Sequence, residues 1–190
     1  MRGKVGYKLG EKMIDYESKA YILESIDLLR TRLDQIQSEL PDVVDDYHKL
    51  FLYYVAERFE GLSSEKVKIC DRKGDQKIDF FGSTEDRFVA YQCKLPELDI
   101  LKQKEKVHTF DEVITKEADD ILTFLTDEKG KLKGNKDSQE ARNIYRSLKE
   151  DAQKDESICK AEAVLAFFGK MSPMAEDKLE VYKNKWEKGN

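Results

Sequence analysis

Several residues that could crosslink a chain, bind metal or span a membrane are scarce in this sequence. Its three cysteines, Cys70, Cys93 and Cys159, are too few and too scattered for a disulfide framework or a zinc site. With no export signal, they are expected to be buried free thiols in a reducing cytoplasm. The two histidines, His48 and His108, have no partners at metal-ligand spacing and form no recognisable nucleophile–base pair. No G-x-S-x-G or Walker motif is present. No apolar run approaches the roughly 18 residues of a membrane span. The stretch from Met1 to Lys19 starts basic but lacks an apolar core, so a secretory signal is not expected. Positive charge is not in excess either: 34 basic against 39 acidic residues gives a formal charge of −5. That balance argues against generic electrostatic binding to nucleic acid, while leaving room for a local basic groove.

What the sequence does have is enough apolar and aromatic material for a core. The apolar set makes up 39% of the 190 residues and includes 9 Phe and 9 Tyr, which excludes disorder throughout despite 38% charged residues. At about 150 residues per domain, the length suits one domain, or one domain with an appendage.

In residues 11–40, Ile14, Tyr21, Ile22, Ile26, Leu29, Leu33, Ile36 and Leu40 fall on one face of a long helix, which Pro41 ends. A second helix is expected over 42–62, with Asp42 near its start and Gly61 at its end. Its apolar positions run most of the way round, which suits a central helix. Short strands follow at Lys66–Cys70, Gln76–Phe81 and Phe88–Lys94, with a turn at Gly74. Helices are expected over 110–127 and 139–156, joined by a flexible basic loop carrying Lys129, Lys131, Lys133 and Lys136. The near-continuous apolar run of Lys160–Gly169 predicts a strand covered on both faces. Ser172 and Pro173 then open a last helix as N-cap and first residue. The order α-α-β-β-β-α-α-β-α is a mixed α/β (α+β) domain with a central sheet flanked by helices and an N-terminal helical extension over 1–41.

Period-two alternation puts Lys77, Asp79 and Phe81 on one face of the second strand, and Gln92 and Lys94 on one face of the third. Neighbouring strands can then bring Asp79, Gln92 and Lys94 to one end of a sheet. A buried carboxylate and amine need each other, a metal or solvent. The trio suits phosphodiester hydrolysis. Asp79 offers a hard oxygen to Mg²⁺, which prefers few carboxylates plus water and phosphate, and Gln92 adds an amide oxygen. Lys94 can orient or deprotonate the attacking water, or offset charge building on the phosphorane.

The stretch GDQKIDFFGSTEDRFVAYQCK resembles the core of the PD-(D/E)XK nucleases, in the variant whose third motif reads Q-x-K. Asp79 stands at the motif's aspartate and Gln92-Cys93-Lys94 at its Q-x-K, thirteen residues on. The likeness extends, over about 42–187, to the N-terminal nuclease-like region of the abortive-infection phage-resistance (AIPR) family. That region carries a turn written roughly D-G-G-x-D, where this chain has Asp75 followed by Gln76 and Lys77.

The resemblance implies a restriction-endonuclease-like core over 42–190, within a longer protein whose C-terminal region would be a partner. It further implies a Mg²⁺-dependent nuclease (Mn²⁺ as substitute) acting on DNA, or on RNA, in cytoplasmic defence against phage. An acid from the preceding helix would join the metal site: Glu57, or alternatively Glu60. Asp79→Ala and Lys94→Ala would each abolish cleavage while leaving the fold intact.

Plainer readings stand beside these. Asp79 and Lys94 can be a cross-strand ion pair, Glu57 a solvated helix residue, Asp75 a turn former and Cys93 a core thiol. The loop lysines can be solvated, and the stripe of residues 14–40, if left uncovered, a homodimer interface. The alternative function is a catalytically inactive nuclease-fold module that binds nucleic acid or protein.

Overall fold

The computed structural model describes residues 18–40, 46–61, 68–70, 73–83, 87–156 and 159–188. The predicted starts of the first two helices, the second at Asp42, and the stop at Pro41 lie outside these residues. Helix α1 (Lys19–Glu39) buries Ile22, Ile26, Leu29, Leu33 and Ile36, the stripe expected from its spacing. Ser18 caps it, its hydroxyl accepting from the Tyr21 N–H at 3.3 Å. Helix α2 (Tyr47–Glu60) is capped by Asp46, whose carboxylate accepts from the N–H groups of His48 and Lys49 at 3.0 and 3.2 Å. Gly61 ends it in the left-handed conformation, φ 63°, which costs glycine nothing.

The strands are β1 (Lys68–Ile69), β2 (Phe80–Ser83), β3 (Arg87–Lys94), β4 (Thr109–Phe110), β5 (Lys160–Phe167) and β6 (Lys170–Met171). Four form one mixed sheet in the order β1-β2-β3-β5, antiparallel except for the parallel pair β3–β5; β4 and β6 pair separately. The crossover from β3 to β5 carries α3 (Leu98–Lys104), α4 (Val113–Leu125) and α5 (Lys136–Lys154). Helix α6 (Pro173–Lys188) closes the described chain, with the Ser172 hydroxyl accepting from the Ala175 N–H at 3.1 Å.

Alternation along β3 separates two cores. Val89, Tyr91 and Cys93 pack with Phe80 against α1 and α2. Phe88 and Ala90 pack with Ile78, Phe81, Ile121, Phe124, Leu125, Ala141 and Tyr145, the last five from α4 and α5. The sheet is therefore a middle layer between helices. Each large aliphatic side chain fully buried there contributes about 1.5–3 kcal/mol. Phe80 stacks on Tyr91 across the β2–β3 pair, ring centroids 4.4 Å apart, adding about 0.5–1.5 kcal/mol. The apolar stripe of α1 is covered by the chain's own residues. Among the described residues no helix is long and apolar enough to cross a membrane.

The structure departs from the expected elements in four places. Gln76 and Lys77 belong to a turn, and β2 begins only at Phe80. Ile78 consequently packs on the α4 side with Phe81, whereas Phe80 faces α1 and α2, so strict alternation holds only from Asp79 onward. Strand β5 is an edge strand, half-buried from Ala161 to Phe167, rather than one covered on both faces. Helix α3 and the β4–β6 pair carry too few residues for a periodic signal. Lastly, the loop before α5 is pinned by hydrogen bonds rather than flexible.

Candidate functional site

Asp79 sits just ahead of β2, where the backbone is already joined to both neighbouring strands. Its N–H donates to the Tyr91 carbonyl at 2.8 Å, and its carbonyl accepts from the Cys70 N–H at 2.7 Å. The side chain is almost fully buried, at 3% exposure. Oδ2 accepts from the Gln92 amide at 2.7 Å and from the Cys93 N–H at 2.6 Å. A carboxylate that replaces a missing sheet acceptor is well stabilised, because hydrogen bonds to an ionised acceptor are roughly twice as strong as neutral ones. Gln92, buried on β3, is thereby oriented by Asp79. The predicted meeting of these two residues is observed.

Lys94 ends β3 on the same face as Gln92, but its amine does not turn toward Asp79. It reaches Glu117 of α4, Nζ to Oε2, at 3.1 Å. Lys77 reaches the other oxygen of Glu117 at 3.5 Å. Glu117 is 8% exposed, and its Oε2 is buried without a hydrogen bond, facing the Lys94 ammonium. The corner therefore holds two buried carboxylates, an amide and two lysines. Reading the sequence did not single out Glu117. Its signal was a charge inside the apolar stripe of α4, three residues after Ile114 and four before Ile121, where a solvated residue would not fall.

Glu57 is not brought to this corner. Both of its oxygens accept from Arg32 Nη2 of α1, at 2.6 and 2.5 Å, and half of its side chain is exposed. The reason is geometric. Helix α2 packs on the Val89–Tyr91–Cys93 face, opposite the face that carries Gln92 and Lys94. Near the start of α2, His48 Nε2 lies 3.3 Å from the Cys93 carbonyl, and Glu57 is about 13.5 Å further along the helix at 1.5 Å per residue. The metal role expected of Glu57 is not supported by this placement. The side chain of Glu60 lies outside the described residues. Asp75 forms a turn, accepting from the Lys77 N–H at 2.8 Å. His108 packs edge-on against Phe110.

That turn has an unusual backbone. Gln76 and Lys77 both adopt positive φ, 59° and 65°, and the Ile78 N–H returns to the Asp75 carbonyl at 3.2 Å. Two successive left-handed residues are the mark of a type I′ turn, which normally selects Asn and Gly. Burial first, and then the charge of Asp79, push the Cys93 thiol up; burial also pushes Cys70 up, to about 12. Neither thiol is a nucleophile at neutral pH.

Among the described residues no three His, Cys, Asp or Glu side chains gather to hold a metal. Mg²⁺ does not require that many, because it binds through one or two carboxylates with water and substrate phosphates. Among the described residues, Asp79 and Glu117 are the two buried carboxylates, and Gln92 is the buried amide. No family model, curated protein or solved structure matches the chain.

Proposed function

We infer that this chain is a divalent-ion-dependent nuclease with a restriction-endonuclease-like core, hydrolysing phosphodiester bonds of DNA, or alternatively of RNA. Its proposed setting is defence against phage. The observation that carries this reading is the buried Asp79–Gln92 hydrogen bond, with Lys94 two residues on along the same face of β3 and paired there with Glu117 of α4. The turn before Asp79 also supports it. The AIPR-type turn has two glycines where this chain has Gln76 and Lys77, and both positions take the left-handed backbone that glycine adopts freely.

Asp79 and Glu117, with the Gln92 amide oxygen, would hold the ion, which when bound polarises the phosphate and lowers the pKa of its water. In hydrolysis the water oxygen bonds to phosphorus, the bond to the leaving sugar oxygen breaks, and that oxygen takes a proton. Lys94 is held by the Glu117 carboxylate. Its role is to offset negative charge building on the phosphorane, or alternatively to deprotonate the attacking water. Substrate phosphate competes with Glu117 for this ammonium. The Cys93 N–H and Gln92 fix the orientation of Asp79 before substrate arrives.

The test is cleavage of plasmid and oligonucleotide substrates in Mg²⁺ by the wild type, Asp79→Asn and Lys94→Met. Both variants are expected to lose at least about 100-fold, the usual scale for a preorganised electrostatic contact. Equal cleavage by all three would remove the assignment. A second reading, an inactive module that keeps the nuclease fold, is favoured by the bonds that employ Asp79 structurally and by the departure of Glu57 to Arg32. Titration with Mn²⁺ separates the two: the nuclease binds the ion with a dependence on Asp79, and the inactive module does not.

A further inference from the structure

The turn that delivers Lys77 to the corner does not stand alone. The Asn135 N–H donates to the Gly74 carbonyl at 2.6 Å, the Gln76 amide to the Lys133 carbonyl at 2.7 Å, and the Ser138 hydroxyl to the Gly74 carbonyl at 3.3 Å. Gly134 lies so close that a Cβ there would come within 2.2 Å of Ser138 Oγ and 3.2 Å of Gln76 Cγ. The loop is held from its other side too. Arg142 donates to the Leu132 carbonyl at 2.9 Å, and the Leu132 N–H donates to Asp127 Oδ2 at 2.6 Å. Turn and loop are one fastened surface running into the residues around Asp79.

That surface presents Lys73 and Lys77 from the turn, and Lys129, Lys131, Lys133 and Lys136 from the loop and the start of α5, all exposed. Among the described residues, no carboxylate holds Lys73, Lys129, Lys131, Lys133 or Lys136. Lysines elsewhere, such as Lys102 on Asp27 and Lys149 on Glu128, do have acidic partners. Of the acids beside the loop, Asp127 is paired with Arg142, Glu128 with Lys149 and Glu140 with Lys68; Asp75 accepts from the Lys77 N–H, and Asp137 lies in the first turn of α5. In a chain of net charge −5, the described lysines here outnumber the acids beside them and sit on a pre-ordered support.

We propose that this turn-and-loop surface binds the phosphate backbone of a nucleic-acid strand and leads it to the Asp79–Lys94 corner. The proposal rests on the nuclease reading for the destination of the strand, but binding can be measured without cleavage. It commits to backbone contacts, which are insensitive to base sequence and sensitive to salt.

The experiment is fluorescence anisotropy of a labelled oligonucleotide with the full chain in EDTA, over a series of salt concentrations. Lys131→Gln, Lys133→Gln and Lys136→Gln together are expected to weaken binding at least about tenfold and to flatten the log-affinity against log-salt slope by about 2 to 3, near one unit per lost contact. A charge-matched control, Lys102→Gln with Lys154→Gln and Lys183→Gln, is expected to stay within about twofold of wild type. Wild-type affinity and slope in the loop variant, equal losses in the control, or no binding by wild type would each overturn the proposal. Binding that depends on the loop lysines, from a protein that cleaves nothing in Mg²⁺, would uphold this surface while removing the nuclease reading.

Discussion

Lys94 Nζ lies 3.1 Å from Glu117 Oε2, an ammonium from the last residue of β3 against a carboxylate from the second turn of α4. The contact joins sheet to helix at the corner that Asp79 and Gln92 define. Breaking a fully buried pair costs roughly 3–5 kcal/mol. Lys94 keeps 33% of its side chain exposed, so the expected loss for Glu117→Gln is smaller, about 1–2 kcal/mol. A double-mutant cycle with Lys94→Met, read by urea denaturation, should return a coupling of at least about 0.5 kcal/mol. Strict additivity would mean that the two residues are merely adjacent.

Asp79 is expected to matter for stability as well as chemistry. The sequence led us to expect that Asp79→Ala would leave the fold intact, but the structure gives its carboxylate two N–H donors in a buried site. Alanine strands both, at a cost of about 2–4 kcal/mol, whereas asparagine keeps an acceptor and should cost about 1 kcal/mol. Denaturation midpoints of the two variants check this ordering. Equal midpoints would show that water satisfies the stranded groups. Asp79→Asn is accordingly the cleaner probe of activity.

Lys77 should reveal strain when glycine and alanine are compared at its position. Both substitutions remove the contact with Glu117, but only glycine relieves the φ of 65°. Lys77→Gly should therefore be more stable than Lys77→Ala by about 1 kcal/mol. No difference would mean that the turn relaxes once the lysine is gone.

The thiols give a pH test. Cys70 in the fold is raised from 9.0 to about 12 by burial, so the folded chain holds its proton over a range where the unfolded chain releases it. The stability this contributes is full below about pH 9 and is lost as pH rises toward 12. Tyr145, also raised by burial, acts in the same direction. Unfolding free energy should fall from pH 9 to 10.5, and less steeply in Cys70→Ala; identical slopes would refute the assignment. At neutral pH a thiol reagent should modify Cys159, which is partly exposed, well before the buried Cys70 and Cys93.

The elements that periodicity and local chemistry control were legible along the chain. The stripe of α1, the glycine stop of α2, the Ser172–Pro173 start of α6 and the span of β3 all depend on residues close together in the chain. The phase of Gln92 and Lys94 was legible for the same reason, since alternation along one strand needs no knowledge of what covers it. Other features depend on contacts between distant segments. Gln76 and Lys77 carry no turn signal of their own; a hydrogen bond to the Lys133 carbonyl, far along the chain, helps hold them in a turn. Glu57 goes to Arg32 because α2 covers the face of the sheet opposite Gln92 and Lys94. Glu117 rather than Glu57 meets Lys94, because the crossover between two parallel strands sets α4 against the face that carries Lys94. Which helix covers which face is a long-range choice, and no short stretch of residues encodes it.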